Sequence, residues 1–151
     1  MKLFELSYSG NGSEKKPILD TNVIYSGLHK PTGVCERILV AGIDRLIELY
    51  SIDFAKEELT TNLQRKMGFS RKEIQRIIEA LPITWITRDI YQPRLQRAIK
   101  IVKTEQDSPF VAASIATGFP LISGDRHMLT VEVKRGIRAY EPREFLDAIS
   151  S

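Results

Sequence analysis

The sequence predicts a three-layer α/β/α domain around a mostly parallel central sheet of about five strands. Three observations carry that prediction. From Pro17 onward, short apolar and β-branched runs alternate with longer stretches of helical periodicity. Breakers such as Gly68, Pro82 and Gly118 fall between those stretches. The chain has 151 residues, 42% of them hydrophobic, which suits one core and argues against wholesale disorder.

The elements follow in order. Residues 1–16 are expected to be an extension, with 2–6 an add-on strand and 7–16, polar and glycine-bearing, a loop. Residues 17–151 are expected to form the single folded unit. Ile18 and Leu19 make a short strand behind Pro17. Thr21 or Asn22 caps a helix to about residue 28, ended by Lys30-Pro31-Thr32-Gly33. A helix over 34–41 puts Val34, Ile38 and Ala41 on one side and stops at Gly42. Residues 46–52 read as a strand. A helix over 54–67 follows, with Phe54, Ala55, Leu59 and Leu63 sharing a face, and Gly68 ends it. Ser70 and Glu73 form a capping box for a helix to about 81. Residues 83–87, β-branched and aromatic, make a strand. Residues 94–103 are helical, with Leu95, Ala98, Ile99 and Val102 facing inward. Ser108-Pro109 opens a helix that Gly118 closes. Then come a strand at 120–123, a turn at 124–127, a strand at 136–140 and a last helix from Pro142.

Several function classes are disfavoured at once. No apolar run approaches the roughly 20 residues of a membrane span, and the N-terminus lacks the apolar stretch of a secretory signal. Cys35 is the only cysteine, so no disulfide forms within the chain, and a cytoplasmic location is expected. There is neither a P-loop nor a G-x-S-x-G nucleophile motif. Net charge is +3 and the pI is about 9.0, which permits a polyanionic partner without requiring one.

The acids are more informative. Asp20 directly follows the first strand, and Asp125 follows the strand at 120–123. In parallel sheets, ligands gather at the carboxyl ends of strands, so both acids belong on one rim. Asp107 immediately precedes a helix. Glu57 and Glu58 lie in the helix after the second strand, and Glu58 is one step from the inward Leu59. Taken singly, each has an ordinary explanation: helix cap, helix-start acid, turn residue, solvated helix face. Taken together, they conflict electrostatically. Two carboxylates about 5 Å apart repel by roughly 3 kcal/mol at an effective dielectric near 20. Such a set requires cations or raised pKa values. Hard oxygen donors select Mg²⁺ or Mn²⁺. With two histidines and one cysteine in the chain, zinc is poorly supplied.

ILDTNV at 18–23, Glu57-Glu58-Leu59 with Leu63 and Lys66, DSPFVAASIATG at 107–118 and LISGD at 121–125 resemble, in that order, the four acidic motifs of PIN domains. The resemblance spans roughly residues 17–147. It implies a small α/β nuclease whose metal-binding catalytic acids are Asp20, Glu58, Asp107 and Asp125. Asn22 and Ser123 would support them; the family more often has threonine where Ser123 stands. Glu57 is the alternative second acid, but Glu58 sets Leu59, Leu63 and Lys66 in register. The implied reaction is hydrolysis of RNA phosphodiesters by metal-activated water, leaving 5′-phosphate and 3′-hydroxyl ends. Many family members are toxins paired with an antitoxin protein, and many are homodimers.

Away from the acids, Arg94, Arg97, Lys100 and Lys103 form a stripe at every third position, which could track a phosphate backbone. Lys103, nearest Asp107, is the leading RNA contact in it, and Arg126 and His127 beside Asp125 are two more. Trp85 reads as strand packing rather than base stacking, and Cys35 as a helix core or surface residue rather than a nucleophile. The competing reading is a PIN-like module for RNA processing, or for binding RNA or a partner, without toxin role. A phospho-receiver domain also clusters strand-end acids, but it wants a lysine after a late strand, and none follows 120–123.

Overall fold

The computed structural model describes residues 11–150. The strand expected at 2–6 lies outside the described residues, as do residues 7–10. The described part builds one parallel sheet from β1 (Ile18–Leu19), β2 (Leu49–Ile52), β3 (Ile83–Ile86), β4 (Leu121–Ile122) and β5 (Ala139–Tyr140), in the order β3-β2-β1-β4-β5. Every pairing is parallel. Strand order therefore reverses beside β1, between β2 and β4. A crevice at the carboxyl ends of such strands is where doubly wound folds place ligands.

Helices cover both faces because the strand side chains alternate. Ile18, Ile52, Ile86 and Leu121 enter one core; Leu19, Leu49, Ile83 and Ile122 enter the other. The first core packs against α7 (Leu95–Val102), α8 (Ser108–Thr117) and α9 (Val131–Gly136). The second packs against α2 (Thr21–His29), α3 (Val34–Ile43), α5 (Arg71–Ala80) and α10 (Pro142–Ser150). Helix α4 (Asp53–Met67) serves both, with Ala55 in the first and Leu59 and Leu63 in the second.

The local signals that worked are those completed within one turn. Ser70 accepts from the Glu73 N–H while the Glu73 carboxylate accepts from the Ser70 N–H, closing the capping box. Gly68 and Gly118 end α4 and α8 in left-handed conformation, at φ 70° and 77°.

Other expectations need correction. Residues 11–14, expected in a loop, form the short helix α1 (Asn11–Glu14). Helix α2 starts at Thr21, so the cap position is Asp20 rather than Thr21 or Asn22. Gly42 does not stop α3, which continues to Ile43; a side chain at 42 would collide with Leu49 on β2. Glycine at 42 is a packing requirement. The second strand starts at Leu49 and leaves Leu46 exposed. Ser108 is the first residue of α8, with Asp107 at its cap position. The stretches 88–91 and 131–136 fold as α6 (Arg88–Tyr91) and α9, and residues 126–128 as a 3₁₀ turn. No helix among the described residues is long and apolar enough to cross a membrane.

Candidate functional site

Strand β1 ends at Leu19, whose carbonyl accepts from the buried Ser51 hydroxyl on β2 at 2.6 Å. The next residue, Asp20, donates its N–H to the Ile122 carbonyl of β4 at 3.0 Å. Asp20 thus emerges where strand order reverses. Its side chain does not cap α2. It accepts instead from the Ser123 hydroxyl, just beyond β4, at 2.7 Å. The same hydroxyl oxygen accepts from the Asp125 N–H at 3.0 Å. One buried serine therefore links the two strand-end acids.

The other two acids reach the same place. Asp20, Glu58, Asp107 and Asp125 line one cavity of about 350 Å³ with Thr21 and His127. Each acid is oriented by a nearby donor. Thr21 Oγ1 donates to Glu58 Oε1 at 2.6 Å, and Thr104 Oγ1 to Asp107 Oδ2 at 2.9 Å. The His127 N–H donates to Asp125 Oδ1 at 2.9 Å. Donors of this kind fix carboxylate rotamers, as supporting hydrogen bonds do around metal ligands.

The electrostatics are uncompensated. Among the described residues, no lysine or arginine lines the cavity. The Asp20 carboxyl, 7% exposed, has its pKa raised from 3.8 to about 6. Burial is the largest cause; the charges of Asp107 and Glu58 add to it, while the Ser123 hydroxyl and the Thr21 N–H oppose it. Among the described residues, no three histidine, cysteine or acidic side chains are grouped tightly enough to cage a metal directly. The donor set still fits a hard cation. Mg²⁺ keeps several waters and needs only one or two carboxylates, so a roomy, acid-lined cavity suits it better than a closed cage.

The structure separates Glu57 from Glu58: Glu58 lines the acid cavity, and Glu57 lines a neighbouring groove. Asn22 is exposed and stands at the cavity wall, and His127 joins it there. Lys103 and Arg126 are exposed outside the lining, Lys103 as the left-handed C-cap of α7 at φ 63°. Trp85 is half-buried, with the Lys56 ammonium 5.9 Å from its ring centroid. Cys35 is half-buried against the second core, and burial pushes its thiol up.

Sequence reasoning missed Thr21, Asn62, Thr104 and Gln106 as cavity residues. Asn62 was detectable, being four residues after Glu58 and so on the same helix face. Thr104, three residues before Asp107, was detectable as a local partner too.

Comparison with known proteins agrees with the fold. A family model described as PIN domain matches residues 18–142. No curated protein matches the chain. Among solved structures, PAE2754 from Pyrobaculum aerophilum superposes with a TM-score of 0.58 at 13% identity, covering 93% of this chain and 94% of its own. FitAcB from Neisseria gonorrhoeae superposes with a TM-score of 0.54 at 19% identity, covering 84% of this chain and 98% of its own.

Proposed function

Because the chain belongs to the PIN-domain family, whose members are generally nucleases, we propose that it is a metal-dependent endoribonuclease. The observation that carries this reading is the cavity at the strand reversal, where four carboxylates converge and, among the described residues, no lysine or arginine joins them. Such a site repels a phosphodiester until a cation enters it, which makes cation and substrate binding interdependent.

Asp20, Glu58, Asp107 and Asp125 are the residues that would hold Mg²⁺ or Mn²⁺. When bound, the cation supplies Lewis acidity toward the phosphodiester and a more acidic water. The chain's own residues set the conditions. Ser123, Thr21 and Thr104 hold the acids in fixed rotamers. Burial raises the Asp20 pKa to about 6, so its carboxyl is mostly ionised at neutral pH, and a cation held there would favour the ionised form further. Asn22 and His127 at the cavity wall contact the substrate, with Lys103 and Arg126 farther along the RNA. Residues 17–151 are the nuclease unit, and 1–16 carry no catalytic role.

The family resemblance further supports a toxin role with an antitoxin protein, a homodimer and a cytoplasmic location. A module that binds RNA without cutting is the weaker reading, because four convergent acids oppose RNA binding in the absence of chemistry.

The test incubates purified protein with total cellular RNA in Mn²⁺, beside Asp107→Asn and an EDTA control. We expect discrete fragments from the wild type only. The variant should lose activity by on the order of 100-fold or more. Equal cleavage by the purified variant, free of contaminating nuclease, would overturn the assignment.

A further inference from the structure

A second cavity, of about 680 Å³, opens next to the acid site. Gln106 lines both. Their walls also touch: Phe54 of the groove meets Phe110 of the acid cavity edge to face, with ring centroids 6.5 Å apart. The consecutive acids Glu57 and Glu58 turn into the groove and the acid cavity respectively. The two spaces thus form one cleft with two compartments.

The groove differs in chemistry from its neighbour. Phe54, Leu95 and Ile99 give it a half-buried apolar floor. Glu57, Glu105 and Arg88 stand exposed around that floor. Among the described residues, the side chains of these three and of Gln106 have no hydrogen-bond or ion-pair partner. The frame behind them is rigid. Asp53 Oδ1 accepts from the Phe54 N–H at 2.7 Å and the Tyr91 hydroxyl at 2.6 Å, and Oδ2 from the Arg88 N–H at 3.0 Å. One carboxylate therefore ties the start of α4 to α6.

From this geometry we propose that the groove is a nucleobase subsite. It takes the base of a nucleotide flanking the bond cut in the acid cavity, with its amino-bearing edge toward Glu57 and Glu105. The proposal rests on the ribonuclease reading above and adds where the substrate's base goes. Its volume lies in the range of roughly 300–1,000 Å³ typical of small-ligand sites. An apolar floor suits a base face and offers nothing to a phosphate. Carboxylates on the rim repel phosphates and accept from exocyclic amino groups. Guanine, adenine and cytosine carry such groups; uracil does not. Arg88 supplies a cation to the lining, for a ring acceptor or the next phosphate.

The test uses the four free nucleosides, titrated into the full chain and followed by saturation-transfer NMR. Nucleosides lack the phosphate, so the readout does not depend on the acid cavity or on cleavage. We expect at least one amino-bearing nucleoside to bind roughly tenfold better than uridine. Glu57→Gln or Glu105→Gln should erase that preference, and Asp107→Asn should keep it. Both glutamates are exposed, so these variants are expected to fold; circular dichroism checks it. Equal binding of all four, no binding of any, or a preference unmoved by both glutamine variants would overturn the subsite. If the preference is present and the cleavage assay is blank, base binding in the groove stands, and its link to a cut bond falls with the nuclease reading.

Discussion

Asp20 and Asp53 occupy equivalent places. Each directly follows a strand of the same parallel sheet, β1 or β2, and each stands at the start of a helix. Their wiring differs. Asp53 is half-buried and saturated by two backbone N–H groups and the Tyr91 hydroxyl. The pull of Asp53, after the larger effect of burial, raises the Tyr91 phenol. Asp20 is almost fully buried, receives the Ser123 hydroxyl and shares its cavity with three further acids. A strand-end aspartate is therefore not functional by position. It becomes available for chemistry when the protein leaves its charge unbalanced.

The largest effect on stability should come from Asp20→Asn, and its sign is unusual. The wild-type carboxyl must ionise at neutral pH against a folded pKa of about 6, where the unfolded chain needs only 3.8. That difference costs about 3 kcal/mol once the group is fully ionised. Asparagine avoids the cost and keeps an oxygen for Ser123. We expect the variant to be more stable by about 3 kcal/mol in EDTA at pH 7. The gain should shrink as pH falls through 6 and vanish below 3.8, where both states of the wild type are protonated. Urea unfolding at several pH values measures it. A loss of stability at pH 7 would break the comparison.

The same substitution at Asp53 should act in the opposite direction. Asparagine cannot accept from all three donors, because its amide nitrogen meets either the Arg88 N–H or the Phe54 and Tyr91 donors. We expect a loss of about 2 kcal/mol, measured by the same urea unfolding at pH 7. Opposite signs from one chemical change at two strand ends would establish the distinction; equal signs would remove it.

What could be read in advance follows the same division between local and distant partners. The capping box and the terminal glycines are complete within a few residues, so the sequence displays them. The strand-end acids were legible because alternation of elements places strand ends on one rim. Helix α6 was not: it has four residues and is held by Asp53, 35 positions earlier. The Thr21 hydroxyl was missed as a site group because its partner Glu58 lies 37 positions away. Glu57 and Glu58 were ambiguous for a different reason. Adjacent helical residues point about 100° apart, and only the position of the groove decides which acid faces which compartment. Gly42 misled because a breaker and a close-packing glycine look alike until the neighbouring strand is in place.

The smallest effect should come from Ser123, which touches both strand-end acids. Ser123→Ala removes the donor that opposes the high pKa of Asp20, and it leaves the Asp125 N–H without its acceptor. We expect a stability loss of about 1 kcal/mol. The functional consequence is more specific. If cleavage needs Asp20 ionised, activity rises with pH through the Asp20 titration. Losing the serine hydroxyl pushes that pKa higher, so the acid limb of the rate profile should move to higher pH. Ser123→Thr keeps the hydroxyl and should leave the limb in place, even where the extra methyl group costs packing in a fully buried position. A profile that scales down in the alanine variant without shifting would mean that Ser123 only supports the fold, and that Asp20 titration does not set the rate.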